Sequence, residues 1–413
     1  MSFSNLQLIE PVLRALSHEG YASPTPIQEK SIPAILQKRD FLGCAQTGTG
    51  KTAAFVIPLL QLLQEQNALN KSRNLSTLIL SPTRELAIQI GESISAYGRF
   101  LHLKHQVIFG GVPQHSQVQA IRSGVDIIVA TPGRLIDLMN QGHISLRQIR
   151  FFVLDEADRM LDMGFVQDVK KIIAKLPVQK QTLFFSATMP DQIKQLANML
   201  LNNPVKVEVT PVSSTVEIID QSVFFTEKQH KQSLLIDLLK DKSMESVLVF
   251  TQMKHTADKV SRNLNKAGLS SAPIHGNRSQ NQRQQALQHF KDKKVRVLVA
   301  TDIAARGIDI DGITHVINFE LPNVPETYVH RIGRTGRAGA SGAAISFCDW
   351  SEKVYLADIQ KLTKKPIRIV QGHAFDMPSM HVSTAQTSAS SASANGRRTT
   401  GFKRRGRTFS QRA

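Results

Sequence analysis

Two tandem open α/β sheets, each built of parallel strands with helices on both faces, are the fold that this sequence predicts. Three observations predict it. Short apolar runs without alternation recur in both halves, helical patterns separate them, and 413 residues are enough for two domains. The runs are "LILS" (78–81), "IIVAT" (127–131), "FFVLD" (151–155) and "LFFS" (183–186) in the first half, and "VLVFT" (247–251), "VLVAT" (297–301) and "VINFE" (316–320) in the second. Runs of this length fit strands buried on both faces. "DVKKIIAKL" (168–176) and "TADKVSRNLNKAG" (256–268) carry helical patterns between them, and strand, helix, strand in repetition gives parallel sheets.

Ligands of such sheets bind at the carboxyl ends of the strands. Ser81, Thr131, Asp155, Ser186, Thr251 and Thr301 fall at those ends. Ser and Thr also begin ordinary loops, so the loops that follow must carry the argument. Between the two sets, "VKVEVTPVSSTVE" (205–217) starts as an alternating strand and runs into Pro211, Ser213 and Ser214. It divides the chain into residues 1–209, a linker at 210–217 and residues 218–371. From 372 to 413 the composition turns Ser/Ala/Thr-rich and then basic, with seven Lys/Arg against one acid, Asp376. Such a tail lacks the apolar content to fold alone and is expected to be disordered.

Lys and Arg number 51 against 33 Asp and Glu, a net charge of +18, which points to a polyanionic partner. Two distant cysteines, Cys44 and Cys348, exclude a disulfide framework and cysteine metal spacing, and suit a reducing compartment. The first residues, "MSFSNLQLIEPVLRAL", lack a basic leader, and no apolar stretch reaches membrane-spanning length. The expectation is a cytoplasmic protein with no membrane partner.

"AQTGTGKT" (45–52) follows the apolar piece "DFLGC" and precedes the helical run "TAAFVIPLL". That is the strand, loop and helix context of a phosphate-binding loop. Gly48 and Gly50 let main-chain N–H groups turn toward phosphate oxygens, and the new helix presents its positive end to them. Ala45, Gln46, Thr47 and Thr49 complete the loop. Lys51 can reach the outer phosphates and Thr52 can hold Mg²⁺. Ala45 replaces the usual first glycine. Pro58 is expected to kink the following helix. "FFVLDEAD" sets Asp155 at a strand end, where it can bind Mg²⁺ mainly through water, with Glu156 beside it to orient or deprotonate an attacking water.

The order "AQTGTGKT", "PTRELA" (82–87), "TPGR" (131–134), "DEAD" (155–158), "SAT" (186–188), "ARGID" (305–309) and "HRIGRTGR" (330–337) resembles the DEAD-box ATP-dependent RNA helicases over about residues 1–370. The layout looks most like the bacterial RhlE-type subgroup. The resemblance implies two RecA-like domains, ATP and Mg²⁺ as ligands, and RNA-stimulated ATP hydrolysis that opens short duplexes or remodels RNA–protein complexes. "FSNLQLIEPVLRALSHEGYASPTPIQ" resembles the family's adenine-recognition segment, within residues 1–28. A glutamine amide offers a donor and an acceptor side by side for adenine. Gln28 is the candidate, with Thr25 in support and Phe3 packing on the base.

"HRIGRTGR" contains Arg331, Arg334 and Arg337 with Gly333 and Gly336 between them. Hydrolysis spreads negative charge over the γ-phosphoryl oxygens, and an arginine delivered there is worth roughly 10³–10⁵ in rate. By the resemblance, Arg334 and Arg337 are supplied by the second domain on closure, Asp309 reaches the ribose hydroxyls, and His330 contacts the acidic loop of the first domain. For Arg331 a basic face touching RNA is an open alternative.

Single-stranded RNA across both sheets is the expected agent of closure. Its candidate contacts are Arg84, Gly110, Gly111, Thr131 and Arg134 in the first domain, and Thr251, Gly276, Arg283 and Thr301 in the second. Thr and Gly suit contacts to phosphate and sugar rather than to bases. Aromatics at 6% leave no stacking platform along these loops, so recognition is expected to be sequence-independent and to select RNA through its 2′-OH. Ser186 and Thr188 are expected to couple the two sites through Asp158. By the same resemblance the partners are single-stranded and short duplex RNA and proteins of ribosome assembly or RNA decay. The sequence does not reveal the oligomeric state, and a monomer is the expectation. A DNA-directed motor and an RNA clamp that barely unwinds are the competing readings.

Overall fold

The computed structural model describes residues 2–45, 48–69, 74–209, 219–305, 312–336, 342–377 and 379. The first sheet contains β1 (Phe41–Ala45), β2 (Thr77–Leu80), β3 (His105–Ile108), β4 (Ile127–Ala130), β5 (Phe151–Leu154), β6 (Gln181–Ser186) and β7 (Val205–Val209). The second contains β8 (Ile219–Phe225), β9 (Val247–Thr251), β10 (Ser271–Ile274), β11 (Val297–Thr301), β12 (His315–Asn318), β13 (Gly342–Cys348) and β14 (Arg368–Val370). Both are seven-stranded, with orders β3-β4-β2-β5-β6-β1-β7 and β10-β11-β9-β12-β13-β8-β14. The paired strands are parallel throughout. Numbered from its own first strand, the second sheet repeats the order of the first.

Unalternated apolar runs form these strands because successive side chains enter cores on opposite faces. Phe151, Val153, Leu183 and Phe185 join one core of the first sheet, while Phe152, Leu154 and Phe184 join the other. In the second sheet Val247 and Val249 face one cluster and Leu248 and Phe250 another. Full burial of each such side chain stabilises by about 1.5–3 kcal/mol. All seven apolar runs singled out in the sequence are strands. The edge strands β3 and β10 escape that pattern because they are only partly buried and carry polar residues. Pro273 sits within β10, where an edge position spares the sheet a missing N–H.

The helix expected at 168–176 spans Val166–Ile173, and its last turn tightens into three-residue bonds, with Lys175 N donating to Ile172 O and Leu176 N to Ile173 O. The one expected at 256–268 spans Lys254–Lys266 and ends as Gly268 takes φ +78°. The helix Lys51–Leu69 continues past Pro58.

The tail begins later than its composition suggested. His373 packs on the Phe224 ring at 5.1 Å, Phe375 lies against the core beside β8, and Met377 is buried. Three large side chains, alternating with Gly372, Ala374 and Asp376, anchor residues 372–377 to the second sheet. The linker at 210–217 and the tail from 380 lie outside the described residues.

Candidate functional site at the carboxyl rims

The strand order sorts the rim of the first sheet into two halves. β5, β6 and β1 carry the candidate nucleotide residues, and β3, β4 and β2 the candidate RNA residues.

β1 delivers the chain into the phosphate-loop sequence, and the helix starts at Lys51. Gly48 and Gly50 take φ of 86° and 89°, a conformation that favours glycine. A Cβ on Gly50 would stand 2.4 Å from Gln28 Nε2. Lys51 is buried and its Nζ has no hydrogen-bond partner. A buried ammonium without an acceptor is costly, so this group fits an anion. Gln46 and Thr47 lie outside the described residues.

Asp155 follows β5 and is buried, its Oδ1 accepting from Glu156 N at 3.0 Å. Burial pushes its carboxyl up to about 7, against the pull of Lys51. Such a carboxylate favours a cation beside it, and with Thr52 opening the same helix as Lys51 the donor set fits Mg²⁺. Glu156 adopts φ 51° and pairs with Arg159 one helical turn on.

Asp158 joins three elements. Its N donates to Ser186 Oγ at 3.2 Å, its Oδ2 accepts from Thr188 N at 2.8 Å and Thr188 Oγ1 at 2.9 Å, and Ser186 Oγ donates to Thr188 O at 2.7 Å. Against the upward push of burial, Lys51, the Thr188 bonds and His330 hold its carboxyl below the ordinary value. The His330 influence comes from the second domain, on the helix Pro325–Ile332.

Gln28 is buried, with Oε1 accepting from Thr25 N at 3.0 Å and Nε2 donating to Gly50 O at 3.2 Å. The amide thus ties the N-terminal segment to the phosphate loop, a use that the sequence reading did not include. Phe3 departs from its expected place on a base. It is buried in the core, edge-on to Tyr21 with centroids 6.0 Å apart. Leu6 and Leu8 beside it make burial of the ring the favourable outcome.

On the other half of the rim, Arg84 opens the helix Arg84–Tyr97, capped by Thr83 Oγ1. Gly111 has φ +79°, and a Cβ there would meet Arg84 Nη1 at 2.2 Å. Gly110 lies alongside. Arg134 Nη2 donates to Val112 O at 3.2 Å, while its Nη1 has no partner. Thr131 follows β4 and stands at the N-cap position of the helix Pro132–Asn140, without a side-chain cap bond. Burial, then Arg283 and Arg134, push the Arg84 guanidinium down from its ordinary value. Three arginines from both domains therefore gather at one rim, as an anionic strand requires.

In the second sheet Thr251 and Thr301 end the neighbouring strands β9 and β11, and Gly276 follows β10 beside Lys254. The helix Gln280–Lys291 begins at a Ser279–Gln282 capping box, which sets Gln280 and Arg283 on one face. Both reach Glu85 of the first domain: Arg283 Nη2 at 2.8 Å and Gln280 Nε2 at 2.9 Å. Arg283, expected against RNA, is paired with protein here, leaving Nε unpartnered. Glu85 and Gln280 were not recognised in the sequence, although Glu85 stands beside Arg84 in "PTRELA" and Gln280 opens the stretch "QNQR" (280–283) that ends in Arg283.

Arg331 has no face toward RNA. Only 1% exposed, it clasps Asp302 Oδ1 and Oδ2 at 2.6 and 2.7 Å, donates to Asn318 Oδ1 and Glu320 O, and lies over the Phe250 ring. Arg334 is buried just beyond the helix Pro325–Ile332. Arg337 and Asp309 lie outside the described residues. Among the described residues there is no cluster of three or more His, Cys, Asp and Glu fit for a metal, and no helix long and apolar enough to cross a membrane.

Residues 25–196 match the DEAD/DEAH box helicase family and residues 230–339 the helicase conserved C-terminal domain. The chain is 41% identical to the ATP-dependent RNA helicase CshA of Limosilactobacillus reuteri over 364 residues, covering 88% of this chain and 72% of that protein. Saccharomyces cerevisiae Dbp5 bound to RNA and ADP BeF3 is 32% identical with TM-score 0.78, over 89% of this chain and 95% of that one. A DEAD box protein from Methanococcus jannaschii is 38% identical but has TM-score 0.54, over 90% and 99%. The less similar sequence gives the better overlay.

Proposed function

The chain belongs to the DEAD-box family of ATP-dependent RNA helicases, and from that membership we propose that RNA lying across both domains closes the cleft and completes a divided ATP site. The pairing of Glu85 with Arg283 carries this reading. Glu85 is the neighbour of Arg84, so one side-chain pair links the RNA half of the rim to closure.

In the closed site Lys51 holds the outer phosphates and the main chain around Gly48 and Gly50 cradles them, with Ala45, Gln46, Thr47 and Thr49 shaping the loop. Thr52 and Asp155 hold Mg²⁺, which when bound withdraws charge from the phosphate oxygens. Glu156, aimed by Arg159, directs the attacking water and accepts its proton. Arg334 and Arg337 meet the charge that develops on the transferred phosphoryl group. Gln28 reads adenine with the N–H and lone pair left over from its protein bonds, supported by Thr25, and Asp309 takes the ribose. His330 reports closure to Asp158, which Ser186 and Thr188 hold.

RNA phosphates and sugars meet Arg84, Arg134 and Thr131 with the main chain at Gly110 and Gly111, then Thr251, Gly276 and Thr301. The bound strand bends away from duplex geometry and nearby base pairs open. The basic tail adds salt-sensitive affinity. The proposal extends to an RhlE-type layout, a cytoplasmic monomer and service in ribosome assembly or RNA decay.

Glu156→Gln tests the chemistry. The variant should bind ATP and RNA as the parent does while turnover falls by about 10²–10⁴-fold. Parent-like turnover would overturn the role of Glu156.

A further inference from the structure

Because the two sheets share one strand order, each rim position of the first has a counterpart in the second. With the last residue of β5, Leu154, set against the last residue of β12, Asn318, the register within each sheet gives the rest. Phe184 pairs with Leu42 and Leu154, and Ser346 with Val223 and Asn318. Cys44 then corresponds to Phe225, and Asp155 to Phe319. The phosphate-loop strand β1 thus has its counterpart in β8. Each is followed by a short loop and a helix whose first residue is a buried lysine, Lys51 in one and Lys231 in the other.

The surroundings of the two lysines differ. Lys51 Nζ has no hydrogen-bond partner. Lys231 Nζ meets Asp349 Oδ2 at 3.1 Å and Glu352 Oε2 at 2.5 Å. Glu352 also accepts from Leu321 N at 3.0 Å through Oε1 and from Asp349 N at 3.1 Å through Oε2. An ammonium and two main-chain N–H groups thus converge on one anion, as they do on a phosphate in a phosphate loop, although here the N–H groups belong to Leu321 and to Asp349, whose bond also closes the capping box of the turn Trp350–Glu352. The loop itself, Thr226 to His230, has no glycine to turn its N–H groups inward, and a phenylalanine stands where the first domain has its metal-binding acid.

The filled position also holds the route to the arginines. Leu321, bound by Glu352, lies between β12 and the helix Pro325–Ile332, which carries His330 and leads to Arg334. Gln252 secures the same segment, its N donating to Glu320 Oε2 at 2.7 Å and its Nε2 to Leu321 O at 2.6 Å.

We propose that the second domain keeps the anion site of the first in an internally filled form, with Glu352 in the place of a phosphate. Glu352 and Lys231 then act as positioning residues for hydrolysis, because they fix the segment that presents His330 and Arg334. The positioning half of this inference rests on the roles given above to those two residues.

The test uses the full chain with saturating RNA. Glu352→Ala should lower kcat about tenfold while the KM for ATP stays within about twofold, since misplacement of a group acting in the transition state appears in kcat. Acetate, which matches the deleted CH2–COO⁻ fragment, should restore kcat saturably by entering the vacated donor set. A side chain that only supported the fold would not respond in this way. Unchanged kcat, or a loss that acetate does not reverse, overturns the proposal. If Glu352→Ala fails to fold, Glu352→Gln decides: a fall of about threefold in kcat with unchanged KM supports it, and parent-like kcat overturns it. Arg334→Ala separates the two claims. Its loss of turnover beside a parent-like Glu352→Ala overturns the proposal and leaves the role of Arg334 standing, whereas parent-like turnover in Arg334→Ala defeats the reading beneath it.

Discussion

Glu85 and Arg283 stand 2.8 Å apart, one on the first helix turn after "PT" in the first domain and the other on a helix of the second, and both are buried. Gln280 adds a second bond to the same carboxylate. A buried charge pair loses most when one partner is removed, because the other is left uncompensated.

Glu85→Gln and Arg283→Met should therefore each lower RNA-dependent kcat/KM by about tenfold or more. The double variant should be no worse than the poorer single one, as expected of residues that act as a pair. Steady-state ATPase measurements over a range of RNA concentrations check this; strictly additive losses would mean that the two side chains act apart.

Gly111→Ala addresses the RNA half of the first rim. The added methyl would run into Arg84 and the residue would have to hold φ +79°. Loss of one charge-assisted phosphate contact corresponds to about tenfold weaker RNA binding. Fluorescence titration with labelled single-stranded RNA should register that drop, while ATP affinity without RNA should not move.

Arg331 is a structural hub, and lysine cannot replace its forked pairing with Asp302. Arg331→Lys and Arg331→Met should lower stability by about 3–5 kcal/mol, with Arg331→Met at the upper end. Thermal unfolding of the second domain is the measurement, and a parent-like midpoint in both variants would contradict the assignment.

Asp158 gives a pH dependence of definite sign. Its folded carboxyl lies below the ordinary 3.8, opposed by burial and lowered by Lys51, Thr188 and His330. Its contribution is complete at neutral pH and is lost as the pH falls below 3.8 through the folded value. Unfolding midpoints of the parent should drop in that acid window, and those of Asp158→Asn should be lower at neutral pH and flatter below it. A steeper acid fall in the variant would exclude this origin.

Much of the molecule was legible in residue order. Unalternated apolar runs determined the seven named strands, because a strand buried on both faces has no polar side to show. The phosphate loop, the "DEAD" acids and the bonding of Ser186 and Thr188 to Asp158 lie close to strand ends, so local sequence carries them. Edge strands such as β10 were faint because half their surface is wet. Phe3 and residues 372–377 went astray because a single apolar side chain does not declare what will cover it.

What the sequence determined by itself was the kind of sheet and the chemistry carried on its rim, since both depend on periodicity and residue type over a few positions. Only the tertiary structure decided the partners: Glu85 with Arg283, Arg331 turned inward to Asp302, and Lys231 answered by Glu352. Those pairs join residues 198, 29 and 121 positions apart, and which distant charges meet depends on strand order and domain packing rather than on any local pattern.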